Sequence, residues 1–266
     1  VNSSFHYHST AAIVAEALIA RGVDKAHSAI TAILVARSNA MVDHWTQKHA
    51  TEDCPATQID PEDPAVAAMI ASGHMYPLFE RCHGWHFDHR NGWGCMPSQM
   101  EIENVLSGKH PTMNDFLWMQ YGVHLHTAQD TDSPHAGYSG FPSKANYALA
   151  RKRLRERGER LPFWAHLFGK GIAVGHMHDK DADKIANCRD GAVKSAVRLY
   201  ELVSGFIPNP DACHYWSIYA IQQAADDHDL AARQRSYFKN FITGQELPEF
   251  VPMAGEELKT WCEVVR

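Results

Sequence analysis

The segment His124-Leu-His126-Thr-Ala-Gln-Asp130-Thr-Asp132-Ser-Pro134-His135 places three imidazoles and two carboxylates within 12 residues. On a helix, His126 and Asp130 are four apart and share one face. A neutral imidazole and a carboxylate are ordinary zinc ligands, and the second carboxylate oxygen can bridge to a second ion. Pro134 breaks the helix and sends His135 off at a new angle, available to another ion. The structural alternative is a helix end capped by Asp132 beside a solvated histidine. The density of ligand types favours metal chemistry.

Four further groups could complete such a centre. Gly175-His176-Met-His178-Asp179-Lys-Asp181-Ala-Asp183 offers His178 and one carboxylate, with Asp181 chosen among Asp179, Asp181 and Asp183. Those acids could equally cap the helix that follows. Phe5-His6-Tyr7-His8 supplies His6 or His8, against the alternative of a frayed end. Asp43-His44 closes an apolar helix; neighbours on a helix diverge by about 100°, so only one faces a buried cluster. A carboxylate there is the rarer residue, which selects Asp43. In His83-Gly-Trp85-His86-Phe87-Asp88-His89 no helical order separates the donors, and His86 is taken.

Composition narrows the rest. With 266 residues and 45% hydrophobic content the chain can bury a full core, and we read residues 1–266 as one domain. A net charge of -6 argues against a general nucleic-acid backbone binder. Histidines number 18, close to the 25 lysines and arginines together, which makes metal chemistry the leading question. No apolar run approaches the ~18 residues of a membrane-spanning helix, so no stable membrane insertion is expected. The six cysteines contain no CxxC pair; Cys82 and Cys95 could pair across a Gly/Trp-rich loop, or all could be buried thiols. The start at Val1 reads as trimmed or processed, and the compartment stays open between secreted, periplasmic and cytoplasmic.

The elements that must position these residues are helical. Ser9 or Thr10 can cap a helix over Ala11–Arg21 stopped by Gly22, and Asp24 can cap a longer one. Asp63-Pro64 opens a short helix ended by Gly73. Pro111 opens the helix that carries His126, and Ser143 caps Lys144–Arg157. A long helix is expected from about Asp181 to Ser204, then others from Asp211, Leu230 and Gly255. Alternating strand-like runs are absent, so the fold class is all-α. Lys48–Glu62 and His74–Ser98 read as long irregular stretches, of the kind that is usually functional.

With the residues set out, the chain resembles the superfamily of zinc-dependent phospholipases C and single-strand-specific zinc nucleases. The order His6/His8, Asp43, His86, His126-xxx-Asp130, His135, His178 is similar to the ligand order of that superfamily over about the first 185 residues. The chain also resembles uncharacterised bacterial proteins with an N-terminal FHY and an LHTxQD segment, matched by Phe5-His6-Tyr7 and Leu125-His126-Thr127-Ala-Gln129-Asp130. It departs in the last motif: the family has HxxxE, whereas Lys180 and Ala182 stand four residues after His176 and His178. The resemblance implies an all-α hydrolase holding two or three zinc ions, though His/Asp sites also accept Mn, Fe or Ni. It implies direct attack on a phosphodiester by water activated between two ions about 3.5–4 Å apart. Asp130 would bridge, and Asp43 or Asp132 could orient or deprotonate the water.

Phospholipid is favoured over nucleic acid as the substrate, since the charge is negative and basic residues are sparse near the ligands. The alternatives are a nuclease of the same kind, an HD-type phosphohydrolase built on His178-Asp179 or His228-Asp229, and a non-catalytic or toxin-associated metal-binding domain. No protein partner is evident. The basic run Arg151–Arg160 is read as a solvated helix face, and Trp45, Trp85, Phe87, Trp93 and Tyr138 either as core or as a stacking or cation-binding box. His214, Trp216 and Tyr219 are read as core.

Overall fold

The N-terminal helix Thr10–Ala20 (α1), sequence TAAIVAEALIA, buries every residue through Leu18. A helix apolar on all sides must lie inside a bundle rather than on its surface. In the computed structural model of the chain it does so, packed against Lys25–His44 (α2) and Ile185–Ser204 (α5). The structure describes residues 4–58, 85–86, 92–108, 114–132, 184–205 and 215–266. The remaining helices are Gln99–Leu106 (α3), Asn114–Asp132 (α4), Trp216–Gln223 (α6), Asp227–Tyr237 (α7) and Gly255–Val265 (α8). One isolated bridge joins Thr46 and Gln58, and no strand occurs among the described residues, so the fold is all-α.

Several ends follow the local code. Asp24 accepts from His27 N at 3.0 Å and starts α2. Gly205 takes φ 78° at the end of α5, a left-handed cap that suits glycine. Helix α7 begins at Asp227, three residues before the expected Leu230, because Asp226 accepts from Asp229 N at 2.8 Å. Helix α3 was not anticipated, although Ser98 and Glu101 form a reciprocal capping box that marks it. Ser9 does not cap α1: the chain is already wound as a π-helical turn over Ser4–Ser9 and runs directly into it. The helices expected at Asp63–Gly73 and Ser143–Arg157 lie outside the described residues.

The main core gathers Phe5, Leu18, Val35, Trp118, Leu125, Leu199 and Phe238. A second cluster of Met41, Val42, Trp45, Met119, Val123 and Trp261 backs the C-terminal half of α2. It contains a disulfide, Cys54–Cys262, spanning 208 residues. The Cys82–Cys95 pairing lies outside the described residues at Cys82. Trp216 and Tyr219 are not core: they are 47% and 40% exposed, facing outward with Phe241.

What positions the site is the crossing of α2 and α4. At Gly122 a side chain would stand 2.7 Å from Ser38 Cβ and 3.0 Å from Asn39 N, so only glycine lets the backbones approach this closely. Along α4 from that point, His126 and Asp130 follow at one-turn intervals. Along α2, Asp43 follows Asn39 in the same way. The two rows therefore face each other beyond the crossing. Ser38 Oγ donates to Met119 O at 2.7 Å and fastens the crossing.

Candidate metal centre

Five side chains from four separate segments converge above this crossing. His6 comes from the N-terminal π-turn, Asp43 from the end of α2, His86 from the segment before α3, and His126 and Asp130 from α4. They form two groups able to hold a metal ion, His6–Asp43–His126 and His86–His126–Asp130, which share His126. His126 Nε2 lies 3.2 Å from Asp130 Oδ2, 3.5 Å from Asp43 Oδ1 and 3.1 Å from His86 Nδ1. His86 Nδ1 lies 3.0 Å from Asp130 Oδ2, and His6 Nε2 lies 3.3 Å from Asp130 Oδ1. Asp130 thus turns one oxygen to His6 and the other to His86 and His126. Its side chain is 1% exposed, whereas that of Asp43 is 31% exposed and forms the open side of the cluster.

The outward nitrogens decide what the inward ones are. His126 Nδ1 faces the backbone carbonyl of Asn39 at 3.1 Å, and His86 Nε2 faces that of Thr57 at 3.2 Å. A carbonyl can only accept, so both outward nitrogens carry the proton. In the neutral rings His126 Nε2 and His86 Nδ1 are therefore lone pairs, 3.1 Å apart and both beside a carboxylate. His6 Nε2, also buried, has no hydrogen-bond partner. Such a set of converging acceptors is electrostatically repulsive by itself. One proton relieves one of these contacts; a divalent cation relieves all of them. The donor set, imidazole and carboxylate with no cysteine among the described ligands, fits zinc, manganese, iron or nickel.

The electrostatics agree with this. Burial would raise the carboxyl of Asp130, but the charge and polar contacts around it, those of His126 and His6 among them, hold it well below its ordinary value. Asp43 is held down in the same way, burial being outweighed by His126, His6 and His86. Burial pushes His126 down to about 4, with His6 adding to the effect. Burial opposes protonation of His86, but the hydrogen bond and charge of Asp130 raise it on balance. At neutral pH, then, both carboxylates are charged and His126 is a neutral ligand.

Two expected site residues stand apart from the cluster. His8 is two residues from His6, and on helical backbone residues two apart point to nearly opposite sides. It faces Glu249, 3.9 Å away, rather than the carboxylates. Asp132 departs from Asp130 by the same rotation. Its oxygens are occupied by Trp93 Nε1 at 2.7 Å and Lys194 Nζ at 2.8 Å, so it ties α4 to α5 and the 92–95 turn. Trp93 in turn lies under the Arg198 guanidinium, and Trp45 donates to Cys54 O; Phe87 and Tyr138 lie outside the described residues. His135, His178 and Asp181 lie outside the described residues.

Sequence reasoning missed the residues behind the ligands. Asn39, Gln129 and Thr10 are fully buried polar side chains in contact with one another and with His6 and His126. Their signal was present: each interrupts an otherwise apolar helix face next to a ligand. Gln58 reaches Asp43 Oδ1 at 3.3 Å. No family model, curated protein or solved structure matches the chain.

Proposed function

We propose that the chain is a metal-dependent hydrolase of phosphodiester bonds, of the kind represented by zinc-dependent phospholipases C. The observation that supports this most is the convergence of His6, Asp43, His86, His126 and Asp130 into two groups of imidazole and carboxylate able to hold an ion. A closed structural zinc site is usually built from four ligands, often cysteines. Here the ligands are mixed imidazole and carboxylate, and Asp43 is left open to solvent on one side. Ions held there would supply a water of lowered pKa and positive charge for phosphoryl oxygens.

The chain's own residues divide the work. Asp130 engages both oxygens and suits a bridge between the two groups. His6 and His86 each offer an inward nitrogen to one group, and His126 Nε2 serves one of the two. Asp43, at the open edge, is the acid placed to orient an attacking water, whereas Asp132 bonds to Trp93 and Lys194. The proposed third position, drawn from His135, His178 and Asp181, belongs to the same reading. Phospholipid is the preferred substrate because the chain carries a net charge of -6.

Elemental analysis of protein purified without chelator tests the first step, and hydrolysis of phosphatidylcholine and of single-stranded DNA the second. Two or three zinc ions per chain with release of the phosphorylated headgroup is the expected result. Asp130→Asn should abolish hydrolysis and lower metal content with helicity retained. Full activity in Asp130→Asn, or a wild-type protein without bound metal, would refute the mechanism. Cleavage of DNA alone would move the assignment to the nuclease.

A further inference from the structure

We propose that Gln129 is a positioning residue for the metal centre: its side-chain carbonyl, fixed in one orientation by Thr10, sets which nitrogen of His6 faces the ligand cluster. This rests on the reading of the cluster as an ion site and goes beyond the ligands themselves.

The assignment propagates from an atom whose role is fixed. The backbone carbonyl of Asn39 makes His126 Nδ1 a donor. Asn39 Oδ1 faces the same Nδ1 at 3.0 Å, so that position of the amide is its oxygen. Asn39 Nδ2 therefore points the other way, donating to Gln129 Oε1 at 2.9 Å and towards Thr10 Oγ1 at 3.3 Å. The atom of Gln129 that meets this amine must be its oxygen. Its Nε2 then donates to Thr10 Oγ1 at 3.0 Å, and the Thr10 hydroxyl donates onward to Phe5 O at 3.4 Å. Each bond in the circuit pairs a donor with an acceptor, and flipping either amide sets like groups against each other.

His6 is the open end of this circuit. Its Nδ1 lies 2.8 Å from Gln129 Oε1, so it must donate. Its Nε2 is thereby left as a lone pair turned to Asp130 and Asp43. One carbonyl oxygen thus holds the His6 ring directly and the His126 ring through Asn39. An amide in this position orients the imidazole without adding a third negative charge beside Asp43 and Asp130. A carboxylate would orient it too, while raising ligand basicity and draining positive charge from the ion.

The test compares wild type, Gln129→Met and Gln129→Glu. Zinc affinity is measured by competition with a chelator, and the imidazole tautomers by nitrogen-15 chemical shifts in metal-free and zinc-loaded protein. In wild type, His6 and His126 should carry the proton on Nδ1 and His86 on Nε2. Gln129→Met should weaken zinc binding by about 10–100-fold, the range for loss of a group behind a ligand, and release His6 from the Nδ1–H form. His126 should keep its form, because the Asn39 carbonyl remains. Gln129→Glu should restore both the His6 tautomer and the affinity. Met and Glu variants that are equally weak would assign Gln129 to packing and overturn the proposal, as would a Met variant within about twofold of wild type. A wild-type protein that binds zinc but cleaves no phosphodiester would remove the hydrolase reading and leave Gln129 in its role. If wild type takes up no zinc, the metal-free tautomers decide: Nδ1–H on His6 sustains the proposal and Nε2–H overturns it.

Discussion

Replacing Gly122 with alanine probes the crossing that builds the site. The added Cβ would stand 2.7 Å from Ser38 Cβ and 3.0 Å from Asn39 N, and against the Val35 carbonyl oxygen. Carbon atoms in comfortable contact are about 3.5–4.0 Å apart, so α2 and α4 must separate by about 1 Å. Two of the three obstacles are backbone atoms and cannot rotate aside. Overpacking of this kind costs about 1–3 kcal/mol, while alanine regains up to ~1 kcal/mol of helix propensity. Three contacts this close put the cost at the upper end, about 3 kcal/mol, so the net loss is about 2 kcal/mol, a fall in Tm of roughly 4–8 °C for a chain of this size. The same movement stretches the bond from His126 Nδ1 to Asn39 Oδ1, now 3.0 Å. At about 4 Å that bond no longer exists, and zinc affinity should fall by about tenfold or more. Thermal unfolding and chelator competition on Gly122→Ala read both effects. Gly94→Ala is the control, since a Cβ there meets nothing within 4 Å. A Gly122→Ala protein with wild-type Tm and wild-type zinc affinity would refute the claim that this contact positions the ligands.

Three other changes have defined outcomes. Asp132→Ala removes the acceptor of Trp93 Nε1 and should lower stability by about 1.5–3 kcal/mol in denaturant unfolding, with the metal stoichiometry unchanged; loss of an ion would return Asp132 to the centre. Glu16 accepts from Trp216 N and Ser217 N at 3.1 and 3.2 Å, and burial raises its carboxyl despite those bonds. A raised carboxyl binds its proton more tightly in the folded state, so its contribution is complete below the unfolded value and declines as pH rises through the folded one. The stability of wild type minus that of Glu16→Gln should therefore fall with rising pH, and a difference that does not vary with pH would contradict the shift. Cys54→Ser opens a bridge across 208 residues and should cost roughly 2–5 kcal/mol. Because Thr57, three residues on, holds His86 Nε2, zinc binding should weaken as well; unfolding insensitive to reductant would show that the bond contributes nothing.

Much of the centre was legible because its ligands break strong local patterns. His126 and Asp130 are polar on the face that Met119 and Val123 mark as buried, and their spacing matches the helix. Asp43 could be chosen over His44 for a similar reason. His86 had no such frame, and its place depends on Thr57 and on the segment being fastened to α4 through Thr127 Oγ1 and Trp85 O at 2.5 Å. His8 and Asp132 stand apart from the cluster because ligand types close in sequence need not share a face. A helix turns residues two apart to opposite sides, and the N-terminal segment is helical from Ser4 rather than extended. The Cys54–Cys262 bond was hidden by its length, since spacing carries no information about partners so far apart. Asn39, Gln129 and Thr10 escaped notice because a neutral amide or hydroxyl, though it breaks an apolar face, is not itself a ligand type.

Those neutral residues explain how the chain tolerates its own centre. Three imidazoles and the Asp130 carboxylate buried together, with Asp43 at their open edge, crowd lone pairs at a cost to folding. The outward nitrogens of all three imidazoles are satisfied, which confines the imbalance to the space between the ligands. The packing around that space is tight at Gly122 and pinned at Ser38, so the helices cannot relax apart to admit compensating donors. A small cation entering from the Asp43 side would give that relief. An ion that binds there stabilises the folded chain by the full extent of its preference for it. The same arrangement that makes the empty cluster unfavourable is what holds its lone pairs ready, and a site built in this way gives up stability to gain an ion already oriented for chemistry.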